Sequence, residues 1–497
     1  MKKFVSIICI LTLAIAQIGF LAGISPFQAD ASIDFSCGEN LTWYIDTKNK
    51  ILTVSGTGPM YPYYDFGNPP TWEPYKDSIG TVIIEEGVTS IAKYAFYNYP
   101  ALKSIQLPST LNRIGVNAFA SCKNIESISF ADNSNLTIIS NYTDFEGTKW
   151  YKSQPDGLIY LGNVLLKYKG TVPQNENVEI KAGIRVIADK AFYNQSNLTD
   201  ITFPGTVEYV GKSAFEGTGW LGSQPDGEIY TDKAFLQYKG SVPIEEYDYV
   251  IKDGTVSVSP QAFKGKPITS VVFPSSVEYI GESAFYYCTK LSETVFPSDS
   301  KLKYIGENSF LSCSKLKTFD LPQSLEVIES NAFSDCYGIN CIDFPASVEY
   351  IGLTVFPSAM TITVDENNKY YCSDGYGVVF NKDKTILYFA PKIIDGYVYT
   401  VPNGVTEVFD RAFYQCTINE ITFSSSVKSI GESAFYHSSV KKAVIPPETA
   451  VKTGAFDQCK DLTVYCYTDS PAHKYAVEKN IPFVLLDETL DTSNIGA

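Results

Sequence analysis

The chain has 497 residues, 44% hydrophobic and 19% charged, a composition that excludes wholesale disorder. Its net charge of −16 opposes binding to nucleic acid or to an anionic membrane surface. Tyrosine (35) and phenylalanine (30) are abundant, and histidine is nearly absent (2).

Residues 1–31 read as a secretory signal peptide. Lys2 and Lys3 give a basic start, Phe4 to Ile24 an apolar run, and Ala29-Asp30-Ala31 a small-residue cleavage site. No second apolar stretch is long enough to span a bilayer, so no membrane insertion is expected once the signal is removed. Residues 32–80 carry none of the periodicity found beyond Thr81. Leu41–Asp46 and Ile51–Ser55 read as a β-hairpin turning at Thr47–Lys50. A loop rich in proline and aromatic residues comes next. A repeat array needs an atypical end to cover its open core, and this segment is expected to be that cap. Alternatively Tyr61, Tyr64 and Trp72 form a platform that stacks on a sugar ring or a peptide.

From Thr81 to Asp469 one unit recurs. Its clearest copy is Val277-Glu278-Tyr279-Ile280-Gly281-Glu282-Ser283-Ala284-Phe285-Tyr286-Tyr287-Cys288, and Ile114–Phe119, Val210–Phe215 and Ile430–Phe435 repeat its centre. Taking the phenylalanine of each Ala-Phe pair or its equivalent as the marker gives 13 units from Phe96 to Phe456, mostly about 23 residues apart. A short Leu-x-x-Ile-x-Leu run precedes each copy, as in Leu102–Leu107, and is often closed by proline, which cannot donate to a ladder. Alternating apolar residues in this run point inward, and neighbouring coils pair the runs into a parallel sheet. Val-x-x-Ile is a second short apolar segment, often followed by glycine. Ala92, Ala188 and Glu329 also stand in that glycine position, so the turn does not demand a positive φ. The phenylalanines are expected to stack from coil to coil.

Three spacings are long: 47 after Phe145, 48 after Phe215 and 57 after Phe356. They hold expected hairpin insertions at about 150–170, 220–240 and 370–391, the first two related through Trp-x-x-Ser-Gln-Pro-Asp-Gly with Trp150 and Trp220 as anchors. Residues 470–486 read as a helix capped by Ser470 and a closing strand, a C-terminal cap, before a polar tail at 487–497.

These units resemble the leucine-rich repeats of the BspA-like family of bacterial surface and secreted proteins. The signature is a unit of about 23 residues with proline after the strand and Ile-Gly-x-x-Ala-Phe-x-x-Cys, clearest at Val277–Cys288 and Leu316–Cys336. The resemblance implies a β-rich, right-handed leucine-rich-repeat superhelix, formally α/β, and a non-enzymatic binding role, with adhesion for some members. It supplies no catalytic residue. No wall-binding or cohesin-type module is recognised in this sequence.

Little chemistry is expected inside the array. Cys122, Cys288, Cys313, Cys336, Cys416 and Cys459 each lie three residues after a marker phenylalanine, a packing slot that cysteine fills as a small apolar residue with a free thiol. No Cys-x-x-Cys or calcium-loop spacing points to a metal, and no cofactor motif occurs. His437 and His473 lack a nucleophile or carboxylate at motif spacing, so no enzyme is expected. Outward residues of the first run are expected to line the concave face and to bind: Lys103, Gln106, Asp200, Thr202, Lys317, Asp320, Asp343, Glu420 and Thr422. The expected function is recognition of an extracellular protein or glycan. Carbohydrate binding through the aromatic loop and self-assembly into a coat are the alternatives.

Overall fold

A computed structural model of the chain describes residues 35–38, 40–60, 63, 69–130, 136–139, 143–242, 248–356 and 358–487. The expected signal peptide, Tyr61, Tyr64 and all of the tail but Asp487 lie outside the described residues. The chain forms a β-solenoid divided into two compact units, Met1–Ala131 with Asp144–Lys152, and Asp132–Thr143 with Ser153–Ala497.

The smaller unit begins with the hairpin. Strands Asn40–Asp46 and Ile51–Pro59 pair antiparallel in unbroken register. Asp46 shapes the turn, its Oδ1 accepting from the amides of Lys48 (3.0 Å) and Asn49 (2.9 Å). The second strand then serves two ladders at once. Ile51–Val54 pairs parallel with Thr81–Ile84, and Gly58 pairs with Val88. One strand thus starts both ladders of the smaller unit.

Each regular coil has three parts. The Leu-x-x-Ile-x-Leu run, here the first run, forms strands such as Ser104–Leu107 and Glu420–Thr422. The Val-x-x-Ile run, the second run, forms two-residue strands such as Tyr279–Ile280. Both pair parallel with the same run of the next coil, as Ile105 with Ile128 and Ile280 with Ile305. The alternating apolar residues are buried, as sequence periodicity required: Ile105, Leu291, Ile280 and Ile305 are all fully inaccessible.

The third part is the turn that carries the marker phenylalanine, and here the backbone is unusual. In most coils the residues two before and two after the phenylalanine have positive φ, as Asn308 (57°) and Ser312 (63°) do around Phe310. Asparagine, serine and glycine are frequent at these sites because they tolerate the left-handed region. The double reversal drives the ring into the core, where the rings stack. Phe285, Phe310 and Phe333 are spaced 4.9 and 5.2 Å with interplanar angles of 5° and 2°. Phe413, Phe435 and Phe456 repeat this at 4.7 and 4.8 Å.

The repeat glycine has a different task. Gly211 and Gly352 have no positive φ, but an added Cβ would stand 2.4 Å from the Asp189 amide nitrogen and 2.3 Å from that of Ser330. The glycine lets successive coils close up at the end of the second run.

The long spacings hold the expected hairpins, spliced into the array, and each adds a coil of its own. In regular coils the marker amide donates to the carbonyl of the residue before the next marker, as Phe192 does to Ala214 (2.8 Å). Tyr168, Tyr238 and Ala390 make the same bond, to Ala191, Ala262 and Ala412. The hairpins Gly157–Leu161 with Val164–Lys169, and Gly227–Thr231 with Ala234–Lys239, lend their second strands to the second-run ladder: Leu165 pairs with Ile187, and Phe235 with Val258. Phe235 also stacks on Phe263 at 4.7 Å. The third such coil is a three-stranded meander, Tyr371–Ser373, Val379–Asn381 and Ile386–Phe389. Short helices Lys149–Ser153 and Gly219–Ser223 precede the first two hairpins. Trp220 packs 4.8 Å from Phe215 and Trp150 6.3 Å from Phe145, as anchors.

The cysteine slot is polar as well as small. The thiols of Cys122, Cys288, Cys313, Cys336 and Cys459 each donate to the carbonyl of the marker phenylalanine one coil back, at 2.9 to 3.1 Å. Cys416 donates to Pro391 in the same way at 3.3 Å. Gln195, in the same slot, donates to Gly170 (2.7 Å). The slot therefore asks for a donor that satisfies a buried carbonyl. Cys288, Cys313, Cys336 and Cys416 are free thiols. Burial pushes Cys288, Cys336 and Cys416 up to about 12.

At the far end, Ser470 caps the helix Pro471–Lys479 by accepting from the His473 amide (3.2 Å), and Asn480 ends it at φ 54°. Strand Phe483–Leu485 joins the first-run sheet beside Thr463–Cys466.

This packing has two measurable outcomes. Gly352→Ala should lower the thermal midpoint clearly, a loss of about 1–3 kcal/mol from forced overpacking, whereas Gly222→Ala, which meets nothing within 4 Å, should leave it unchanged or slightly raised. Equal melting curves for the two variants would refute the close-approach role. With a thiol reagent at pH 8 on the native chain, mass mapping should find the exposed Cys341 labelled first and Cys288, Cys313 and Cys336 silent until denaturant is added, because their thiolates are disfavoured.

Candidate functional site

Two sheet faces are open to a partner. The first-run face carries the residues singled out from the sequence, and they do not converge. Lys103, Gln106, Asp200, Thr202 and Asp343 are exposed, and Glu420 and Thr422 are half-buried. Lys317 and Asp320 are exposed on a stretch that forms no strand. Side-chain bonds between charged or polar groups on this face join adjacent coils: Ser104 with Ser127 (3.0 Å), Asp248 with Ser270 (2.6 Å), Glu420 with Lys442 (3.1 Å), and Asp343 with Thr363.

The second-run face of the larger unit behaves differently. Lys212 reaches Glu282, 70 residues on, at 2.7 Å. Tyr279 shares a hydrogen bond with Thr137 and senses Arg185. Side chains skip coils in this way only where coils crowd together, so this face lies on the inside of the bend within the larger unit. Asp200, Thr202, Lys317, Asp320, Asp343, Glu420 and Thr422, expected from the sequence to be concave, belong to the first run instead. Among the described residues the second-run ladder breaks after Val210 and after Ile351, and the first-run ladder after Thr202, Val295 and Val364.

On this inner face two rows run side by side. One is charged: Arg185, Glu208 and Lys233, then Glu278, Lys303, Glu326 and Glu349. Arg185 Nε donates to Glu208 at 2.7 Å, Lys233 reaches the same carboxylate at 3.1 Å, and Lys303 pairs with Glu278 at 2.9 Å. Burial raises the Glu326 carboxyl, and the Glu278 carboxylate adds to this against Lys303. The other row is aromatic. Tyr279, Tyr304 and Tyr350 occupy one register position, part-exposed, with Tyr279 and Tyr304 rings 6.5 Å apart. Sequence inspection missed these rows because it treated the second run only as a core segment. The outward residues Tyr279, Tyr304 and Tyr350, two before Gly281, Gly306 and Gly352, were the available signal.

The aromatic-loop alternative is corrected at Trp72. That indole is fully buried, stacks on Phe96 at 5.5 Å, and donates from Nε1 to the Ala95 carbonyl (3.2 Å). It is the first rung of the ring stack and offers no face to a ligand. Tyr61 and Tyr64 lie outside the described residues. His437 is exposed, and His473 accepts from the Asp469 amide at 3.1 Å within the C-terminal helix region. Among the described residues no group of acidic, histidine and cysteine side chains is arranged to hold a metal, and no helix is long and apolar enough to cross a membrane.

Comparison with known proteins bears on the fold. No curated protein sequence matches the chain. Among solved structures, a leucine-rich repeat protein from Eubacterium ventriosum is 18% identical, with 88% of this chain and 72% of that chain covered and a TM-score of 0.21. A leucine rich cell surface protein from Faecalibacterium prausnitzii is 17% identical over 88% and 89%, with a TM-score of 0.28. The pneumococcal vaccine antigen PcpA is 15% identical over 91% and 98%, with a TM-score of 0.20. The family model of the BspA type leucine rich repeat region matches in 6 copies at residues 75–154, 167–223, 245–365 and 398–471, more than half of the sequence. The chain therefore belongs to the family of BspA-type leucine-rich-repeat proteins.

Proposed function

We propose that this protein is a secreted or cell-surface binding protein that recognises another extracellular protein and performs no catalysis on it. The observation that carries this reading is the paired row on the inner face, with Tyr279, Tyr304 and Tyr350 beside Glu278, Lys303, Glu326 and Glu349. Rigid tyrosines flanked by charges have the composition of protein-interface hot spots. A stacked array holds them at fixed spacing, so little conformational entropy is lost on binding. The basic, apolar and small-residue segments at the N-terminus support export, and membership of a repeat family supports recognition.

The test is surface plasmon resonance of residues 32–497 on immobilised host matrix proteins and mucin. Saturable, salt-tolerant binding is expected. Tyr304→Ala with Tyr350→Ala should weaken it at least tenfold, about 1.4 kcal/mol or more. If Asp200→Lys, Asp343→Lys and Glu420→Lys together abolish binding and the tyrosine pair does not, the site moves to the first-run face. Silence across the protein panel, with concentration-dependent association in sedimentation, would replace recognition by self-assembly.

A further inference from the structure

A second surface feature has no part in the inner face. Behind the markers Phe413 and Phe435, the turns of three successive coils leave a shallow hollow of about 380 Å³, lined by Lys392, Gln415, Cys416, Thr417, His437 and Ser439. A bridge between Ile393 and Thr417 holds the first two coils together there. Cys416 forms the floor, its thiol turned to the Pro391 carbonyl. Ser439 is spent on the backbone of Ile418, as both donor (2.9 Å) and acceptor (3.0 Å).

The remaining groups are donors. Lys392 Nζ gives one hydrogen to the Gln415 carbonyl at 2.8 Å and keeps two. Gln415 Nε2 points one hydrogen at the Tyr414 hydroxyl (3.3 Å) and keeps another. Thr417 and His437 add a hydroxyl and an imidazole. Among the described residues no carboxylate lines the hollow, although the chain has 55 acidic residues against 39 basic ones. The ammonium of Lys392 is half-buried and has no acidic partner among the described ion pairs. Burial without a counter-charge pulls its titration down, and the only other influence is the Cys416 thiol. A desolvated cation of this kind gains most from an anion brought by a ligand.

Two rings lie behind the lining residues: the Gln415 amide meets the Tyr414 hydroxyl, and the His437 imidazole meets the Tyr436 ring edge-on at 4.6 Å. Tyr414 and Tyr436 stack at 5.8 Å and 8°, both part-exposed. A flat stacked pair beside several neutral donors and one unpaired cation matches a pyranose ring bearing a carboxylate. Its hydroxyls suit Gln415, Thr417 and His437, its carboxylate suits Lys392, and its C–H face suits the tyrosines. The volume is at the small end for ligand pockets, enough for a single sugar residue.

We propose that the hollow lined by Lys392, Gln415, Thr417 and His437 is a recognition site for an acidic sugar residue of the uronic or sialic class, held by its carboxylate at Lys392.

The test is isothermal titration and saturation-transfer NMR on residues 32–497 with a galacturonate oligomer, sialyllactose, and the carboxyl-reduced or neutral counterpart of each. The acidic forms should bind, and the neutral ones should bind at least tenfold more weakly. Which acidic probe binds distinguishes the uronic from the sialic source. Lys392→Ala should remove the preference, Lys392→Arg should retain part of it, and Tyr436→Ala should weaken both forms. Matched melting curves would show that the variants fold. Equal binding of acidic and neutral sugars, no binding of either acidic probe, or an unchanged Lys392→Ala variant would overturn the proposal. So would tighter binding of an oligoglutamate peptide, which would assign the hollow to an acidic protein segment. Because Tyr304 and Tyr350 are untouched, failure here leaves the inner-face reading standing.

Discussion

The distance between one coil and the next governs this protein. Parallel strands sit about 4.8 Å apart, and stacked aromatic rings tolerate centroid separations from about 4.5 Å upward. The phenylalanine rows meet both demands at once, with spacings from 4.7 to 5.8 Å in the regular coils. Main-chain ladders and ring stack therefore reinforce one spacing. No coil could keep it alone, since half of each coil's hydrogen bonds and both faces of each ring belong to its neighbours. The glycine after the second run and the thiol donor behind the phenylalanine serve the same spacing. One removes a Cβ that would hold coils apart, and the other ties a carbonyl to the coil after it.

Much of this was legible in the residues. The period of about 23, the alternation within Leu102–Leu107 and the proline that closes strands each have a local cause, and each reads correctly. Ser470-Pro471 announced the last helix because capping is a one-residue affair. The long spacings read as insertions, although 47 and 48 are about twice the period. Tyr168 and Tyr238 hide the marker because a tyrosine in a hairpin bears no resemblance to Ala-Phe. Their place is fixed by main-chain bonds to Ala191 and Ala262, which leave no trace in composition.

The candidate surfaces were less legible, for a geometric reason. Alternation tells which residues point outward from a strand, and it did so for Asp200, Asp343 and Glu420. It does not tell which of two sheets lies inside a bend. That depends on small differences in spacing between the two edges of every coil, summed over many coils. Lys212 meeting Glu282 is the visible result of such a sum. The position of Trp72 was equally out of reach, since the same aromatic residue serves as readily for a stack as for a binding platform.

The spacing of the tyrosine row has a consequence for any chain laid along it. The backbones of Tyr279 and Tyr304 stand one strand spacing apart, about 4.8 Å, but their rings splay to 6.5 Å, close to the roughly 6.7 Å at which an extended peptide presents same-side residues. A peptide running along the row can therefore seat two successive same-side residues at Tyr279 and Tyr304, with the Val327 position between Tyr304 and Tyr350 acting as a gap. Contact strength on this face gathers in a few places instead of growing evenly with length.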